Sequence, residues 1–479
     1  MLLIHVVRKE LLDQLRSLRF AITCGVCLVV LMLSSIVLTR DYREAQSTYN
    51  MNRVIHRNDL EQRTDVRSLW EGVTVDRPLN PLNTMVRGLS DGLTESVKIQ
   101  PGNRLDFPER WEQNPILALF PSVDYVFIVG IIMSLLALAL SYDSVSAEAE
   151  SGVLRLLMSY SVPRDTVLLG KWIGGYISLM APFTVAFVLS VLVSLLYSEV
   201  ELRGNVALGL LSLYGLAMLY LAAIFSLGLF ISSCTRLAST SITVLLLVWV
   251  VFILAIPNTA PYFVGQLLPL PSRESIDREK QAMERDALTK FQQMIKDEQE
   301  RTSREDVWAD EAFRVEIEAR QQNLQEEMEK VDGSFGAQVR SQTRWSGIVA
   351  RISPLTSFKL AAFDLASAGL AQEERYVASL KAYSESWQAY TEEKQKIWED
   401  FMDSRRDDNG RVLISSEDME QFRRDNRLGF SDAPGYDFAY MSFADRLSEV
   451  SLDLLLLVIW NILFFLLAYL SFLRYELTG

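Results

Sequence analysis

Few residue types in this 479-residue chain are spaced to do chemistry. Its two histidines, His5 and His56, stand far apart, so a histidine-based metal centre is not expected. Cys24-x-x-Cys27 has the spacing of a redox pair, yet both thiols fall inside the apolar run Phe20–Thr39, where cysteine acts as a packing residue. Cys234, the third cysteine, lies in a short loop, so the large polar regions hold no disulfide framework. No Gly-x-Ser-x-Gly elbow occurs. Acidic pairs such as Glu392-Glu393 lie in charged helical runs and read as solvated faces. Gly170-Lys171 comes nearest to a phosphate-binding loop, whose amides would cradle phosphate. But Trp172 replaces the required Ser or Thr, and Asp165 stands at the first Gly position. The chain is therefore expected to have no catalytic residue, no metal ligand and no ATP hydrolysis of its own.

The most informative stretch is Glu148-x-Glu150-x-Gly152-Val153-Leu154-Arg155-Leu156-Leu157, followed by Pro163-Arg164 and Gly170-Lys171. An acidic turn passes through a glycine into a short amphipathic helix that a Pro-Arg pair ends. A simple link between two membrane spans would need none of this, so the segment reads as a device that docks on a partner.

Several apolar elements must position it. The apolar residues are clustered, and a bilayer core needs about 20 of them per helix. Runs at 20–39, 123–142, 172–197, 205–231, 239–256 and 452–473 predict about six transmembrane helices. Helices are the expected form because lipid offers no partner to an unpaired backbone group. The fold expected is an all-α membrane protein with a mainly helical extracytoplasmic domain.

Flanking Lys and Arg orient the spans. The N-terminal basic group, Arg155, Arg164, Lys171, Arg236 and Arg474 fall on one side, which makes both termini cytoplasmic; Arg203 is a minor exception. Residues 40–122 and 257–451 then lie outside, residues 143–171 form a cytoplasmic loop and 474–479 a cytoplasmic tail. Residues 1–19 repeat Leu3, Val7, Leu11, Leu15 and Leu18 at helical spacing. They predict an amphipathic helix lying in the membrane interface, with Arg8, Lys9, Arg16 and Arg19 toward lipid head groups. The run after it is too long for a cleaved signal and lacks a small-x-small site, so it reads as an uncleaved anchor.

In the first outer region helix is expected to about Trp70, with short strands near Val73–Val75 and Val97–Ile99. In the second, two helices are expected between Glu274 and Val331, separated at a Thr302-x-x-Glu305 capping box. Helices Leu355–Ser367 and Glu373–Met402 follow, then a turn at Asp407-Asp408-Asn409-Gly410 and mixed structure over Arg411–Tyr436. Asp124 and Asp453 stand near span ends and read as solvated interface residues rather than a proton path. Pro182 and Gly174-Gly175 read as flex points of the third span. The net charge of −13 argues against a nucleic-acid role, which would want a basic face.

The motif around Glu148 resembles the first cytoplasmic loop of ABC-2-type transporter permeases, close to Glu-x-Glu-x-Gly-Thr-Leu-x-x-Leu-Leu, with Val153 in place of the Thr. The layout resembles a subgroup with large insertions before the second and last spans, and Ser353–Gly369 is similar to that subgroup as well. The resemblance implies a coupling helix seated on a separate ATPase. Glu148, Glu150, Gly152, Leu154, Arg155, Leu157, Pro163 and Arg164 would carry the contact, and ATP and Mg would be bound by the ATPase rather than by this chain. Gly152 would allow close backbone approach, and Leu154 and Leu157 would be apolar anchors. It further implies two ATPase copies, a second permease (identical or related), and export from the inner membrane of a prokaryote. An envelope protein at the outer regions is a further expected partner. A non-transporting sensor or scaffold whose ectodomain binds an envelope partner is the alternative, and an associated ATPase would favour the permease.

Overall fold

A computed structural model describes residues 2–63, 68, 70–90, 96–100, 104–106, 123–159, 162–197, 204–302, 311–405, 414–424 and 429–474. Among these, six helices are long and apolar enough to cross a membrane: Leu18–Gln62, Tyr125–Glu150, Arg164–Leu196, Asn205–Cys234, Ala238–Leu267 and Ser451–Leu473. The chain is an all-α membrane protein carrying, among the described residues, one small sheet. It divides into two units, 1–249 with 357–479, and 250–356.

The N-terminal helix Leu2–Leu15 ends before Ser17, whose side chain accepts from the Phe20 N–H and caps the first span. The first span does not stop where its apolar run stops. It continues as one 45-residue helix to Gln62, about 68 Å long. A polar sequence ends the fit to lipid, but without Gly or Pro it does not end a helix. The fifth span likewise runs on to Leu267 through Pro257 and Pro261. Its π-helical stretch Val250–Ala255 matches one at Ile128–Met133 in the second span.

In the first unit, strands β1 (Val73–Asp76), β2 (Ser96–Gln100) and β3 (Arg104–Asp106) form an antiparallel sheet in that order. Val73 pairs with Ile99 and Lys98 with Asp106. The period-2 pattern turns Val73, Val75, Val97 and Ile99 inward, against Tyr376, Leu380 and Trp387 of helix Leu370–Asp403 and against Phe430. Lys394 of that helix is buried and donates to Gly429 O, while its ammonium pairs with Asp432, which also accepts from Tyr390 Oη at 2.6 Å.

The second unit holds helices Arg273–Thr302 and Glu311–Ala350, joined side by side through Phe291, Met294 and Ile295 against Phe313 and Ile317. Lys280 pairs with Asp332 farther along. The two expected helices are present as a pair, and the second is longer than its charged pattern suggested. Thr302 closes the first helix instead of capping the next, and Glu305 lies outside the described residues. The expected turn at Asp407–Gly410 also lies outside them. Helix Pro354–Leu365 begins at the proline, and helix Ser416–Arg424 occupies part of the mixed stretch.

Candidate functional site

At the end of the first unit that carries the N-terminal helix, helix Ser146–Glu150 turns at Gly152 into helix Val153–Ser159. Gly152 adopts φ +74°, a left-handed conformation in which any side chain would be strained. Among the described residues no atom lies within 4 Å of where its Cβ would be, so there the turn, rather than close approach, requires the glycine. The short helix is two-faced. Leu154 is 1% exposed and packs with Val145, Val167, Leu168, Leu229, Ala468 and Phe472. Leu157 and Met158 are half-buried beside that core. Val153, Arg155 and Leu156 face out, Leu156 at 63% exposure.

The flanking charges tie the loop to neighbouring spans. Glu150 Oε2 accepts from the Ala238 N–H at 3.1 Å, satisfying a free amide at the start of the fifth span. Pro163 precedes the third span, its carbonyl accepting from Val167 N, and Arg164 donates to Leu473 O at the end of the sixth. Pro thus supplies no N–H where none could be paired, and Arg covers a terminal carbonyl.

Glu148 sits in a four-residue charge network. Its Oε1 accepts from Lys9 Nζ and its Oε2 ion-pairs with Lys171 Nζ, each at 2.9 Å, and Lys171 also donates to Glu10 Oε1 at 2.9 Å. Lys171 is only 2% exposed. Burial alone would weaken the Lys9 charge. The hydrogen bond and charge of Glu148, with Glu10 and Asp13, outweigh it and hold that ammonium above the ordinary lysine range. Close packing makes the network geometrically sound. A Cβ on Gly170 would lie 2.5 Å from Val6 Cγ1, and one on Gly174 would lie 2.7 Å from Glu10 Cβ and 3.1 Å from Val7 O. Gly174 is therefore a contact position. Gly175 is one too, against the Phe225 ring. The third span runs unbroken past both, and Pro182 lies inside it.

The basic N-terminal residues divide into two pairs. Arg19 bonds Asp143 at 2.6 Å and lies over the Tyr142 ring, and Lys9 bonds Glu148, so these two hold the loop while their side chains stay 44% and 42% exposed. Arg8 and Arg16 are exposed. Glu10 carried no assigned role in the sequence, and Lys171 only those of an orienting charge and a motif position. The signal that could have found their contact is the Gly170-x-x-x-Gly174 pair, a small-residue stripe suited to close helix packing.

At the opposite ends of the spans, two carboxylates expected to be solvated are buried. Asp124 caps the second span, accepting from the Phe127 and Arg87 N–H groups, and Asp453 is 0% exposed. Span-end position in sequence did not mean access to water; at Asp124 the segment carrying Arg87 folds over the span end. Arg446 is buried nearby in sequence and donates to Leu365 O and Asn205 O.

Residues 4–477 match the family described as ABC-2 family transporter protein. The chain belongs to that family. Its membrane-spanning helices and the family membership together make it an integral membrane protein of the ABC-2 transporter family. A curated relative, the probable ABC transporter permease protein NosY of Stutzerimonas stutzeri, is 39% identical over 72 residues, 15% of this chain. That alignment spans about a quarter (26%) of the relative's length.

Proposed function

We propose that this ABC-2 permease takes up movement from a separate ATPase through helix Val153–Ser159 and delivers it to the spans to export a substrate. The observation that carries the reading is the two-faced geometry of that helix. Val153, Arg155 and Leu156 offer an apolar and cationic outer surface, while Leu154 is keyed into side chains of the third, fourth and sixth spans. A force on the outer face reaches those spans through close-packed contacts, which transmit displacement because interiors have little free volume. Within the expected set of contact residues, the outward positions touch the ATPase. Leu154, Leu157, Glu148, Glu150, Pro163 and Arg164 hold the loop, and Gly152 shapes it. The loop and both termini are assigned to the cytoplasm, with the long insertions outside. The working assembly has two permeases and two ATPases that bind ATP and Mg.

Purification of the tagged protein from its native membrane in mild detergent tests this. A P-loop ATPase co-purifies with the wild type and with Gln322→Ala, and is lost with Arg155→Glu/Leu156→Asp. Retention of the ATPase by the double variant refutes the assigned contact face. Absence of any ATPase from the wild type refutes the coupling reading itself and favours the sensor or scaffold.

A further inference from the structure

The chain carries 60 acidic residues, yet none lies in 250–272 or in 333–352. The first stretch has no charged side chain, and the second has only Arg340, Arg344 and Arg351. These two stretches are the paired root of the second unit. Helix Ile256–Leu267 lies along the end of helix Glu311–Ala350, Gln342 Nε2 donates to Leu268 O at 2.9 Å, and Ser353 Oγ donates to Phe252 O. Between them, by contrast, Arg273–Thr302 and the start of Glu311–Ala350 are dense in Glu and Asp.

The root also exposes large apolar side chains that a water-facing helix pair would hide. Tyr262 is 78% exposed, Phe263 57% and Leu267 65% on one helix; on its partner segment Trp345 is 52% and Ile352 55%. This surface continues directly from the lipid-fitting part of the fifth span, where Val250, Val251 and Leu254 are exposed as well. Thirty residues of helix reach about 45 Å, some 15 Å more than a hydrocarbon core, so the far end of Ala238–Leu267 stands at head-group level or beyond. Tyr, Trp and Phe collect at that level because each joins an apolar body to a polar tip or a polarisable face. Arg340 and Arg344 are exposed beside Trp345, cations without a neighbouring acid along their segment, where a phosphate layer would meet them.

We infer that the root of the second unit is a membrane-surface anchor. The Tyr262–Phe263–Leu267 face and the Trp345–Ile352 face sit in the interfacial layer of the leaflet reached by the fifth span, with Arg340 and Arg344 on anionic lipid phosphates. The insertion is thereby pinned to the bilayer at its base, and its acidic helices rise from that base into water. The occupant is lipid rather than protein because the face is continuous with a transmembrane helix and its charge is of one sign.

Site-directed spin labelling of the full chain reconstituted in phosphatidylcholine–phosphatidylglycerol vesicles tests the inference. Cys24, Cys27 and Cys234 are replaced by Ser, and a nitroxide is placed at Phe263→Cys, Trp345→Cys or Gln322→Cys. Gln322 is exposed on the same helix as Trp345, 23 residues or about 35 Å away. The ratio of oxygen to nickel-chelate collision rates is expected to be several-fold higher at 263 and 345 than at 322. Equal ratios at all three overturn the anchor and place the root in water. Exclusion of both reagents at 263 and 345 also overturns it, because protein, a second copy or another chain, then covers the face. Arg340→Glu/Arg344→Glu is expected to lower the ratio at 345 in the mixed vesicles and leave it unchanged in phosphatidylcholine alone. An unchanged ratio in both refutes the phosphate contact.

Discussion

Lys171 is the residue on which the charge network turns. Its ammonium is 2% exposed and stands 2.9 Å from carboxylates of both Glu10 and Glu148. At an effective dielectric of 20, each such pair is worth about 6 kcal/mol of Coulomb energy before desolvation is subtracted. Desolvation removes most of that gain, so the pair itself contributes little, but breaking it from one side is costly. Lys171→Met leaves two largely buried carboxylates to share Lys9, which is 42% exposed and partly screened by water. The expected loss is about 3 kcal/mol, the low end for an orphaned buried charge. Neutralising the partners as well, in Glu10→Gln/Glu148→Gln/Lys171→Met, removes the orphaned charge, and the loss falls to about 1 kcal/mol. The triple variant is thus expected to be more stable than the single one. Reversible unfolding by SDS titration in mixed micelles measures both, with tryptophan emission as readout. Losses that add from the single variants to within about 0.5 kcal/mol would show that the four groups do not act as one network.

Further consequences are local. Gly174→Ala puts a methyl against Glu10 Cβ and the Val7 carbonyl and is expected to cost about 1–3 kcal/mol by overpacking, with faster hydrogen exchange over residues 2–15; unchanged exchange would separate the glycine from helix docking. Tyr220→Phe removes the hydroxyl that donates to Gly130 O at 2.8 Å within the π-helical stretch of the second span, a loss of about 1–2 kcal/mol in the same SDS titration, and no change would mean that the stretch pairs its own carbonyls. The Tyr390 hydroxyl, helped by Lys394, holds the Asp432 carboxyl below the usual carboxylate range against the smaller opposing effect of burial. A carboxyl depressed in the folded state stabilises above its unfolded pKa, and that contribution fades as pH falls through the folded one. Asp432→Asn is therefore expected to lower thermal stability by at most about 1 kcal/mol at pH 7, because the carboxylate is 63% exposed, and the difference from wild type should shrink only in acid below the ordinary carboxylate range.

The spans were legible because apolar run length is set by bilayer thickness alone, a property each segment carries by itself. What lay beyond them was legible where a period or a breaker spoke. The alternation at Val73–Val75 and Val97–Ile99 gave strands, and Ser353-Pro354 marked a helix start. Helix ends in water were not legible from polarity, as Leu18–Gln62 shows, since polar residues without Gly or Pro are good helix formers. In the candidate site the residue types were legible and their directions were not. Leu154 and Leu156 are both leucines of one short helix, and only the docking of that helix decides which is buried. Lys9, Arg19 and Glu148 read as surface charges because their partners are more than 120 residues away, where no local pattern reaches.

On the proposed coupling, the loop's attachments are what would let so short a segment act on a large bundle. The N-terminal helix holds it through Lys9, and Arg19 at the start of the first span through Asp143. The third span holds it through Lys171 and Val167, the fourth through Leu229, the fifth through the Ala238 amide, and the sixth through Phe472. Such a piece cannot move alone. Displacing helix Val153–Ser159 must either break a buried ion pair or carry the N-terminal helix and the third span along, and the second costs less because the Gly170 and Gly174 contacts already fuse those two helices. Where the bundle yields is then a question of where its ladders are irregular. Pro182 in the third span, Pro257 and Pro261 in the fifth, and the π-helical stretches Ile128–Met133 and Val250–Ala255 are places within the described spans where the regular α ladder is weakened. Each lies about two helical turns or more along its helix from the loop end, so on the proposed coupling a movement entering at Leu154 meets regular helix before it reaches them.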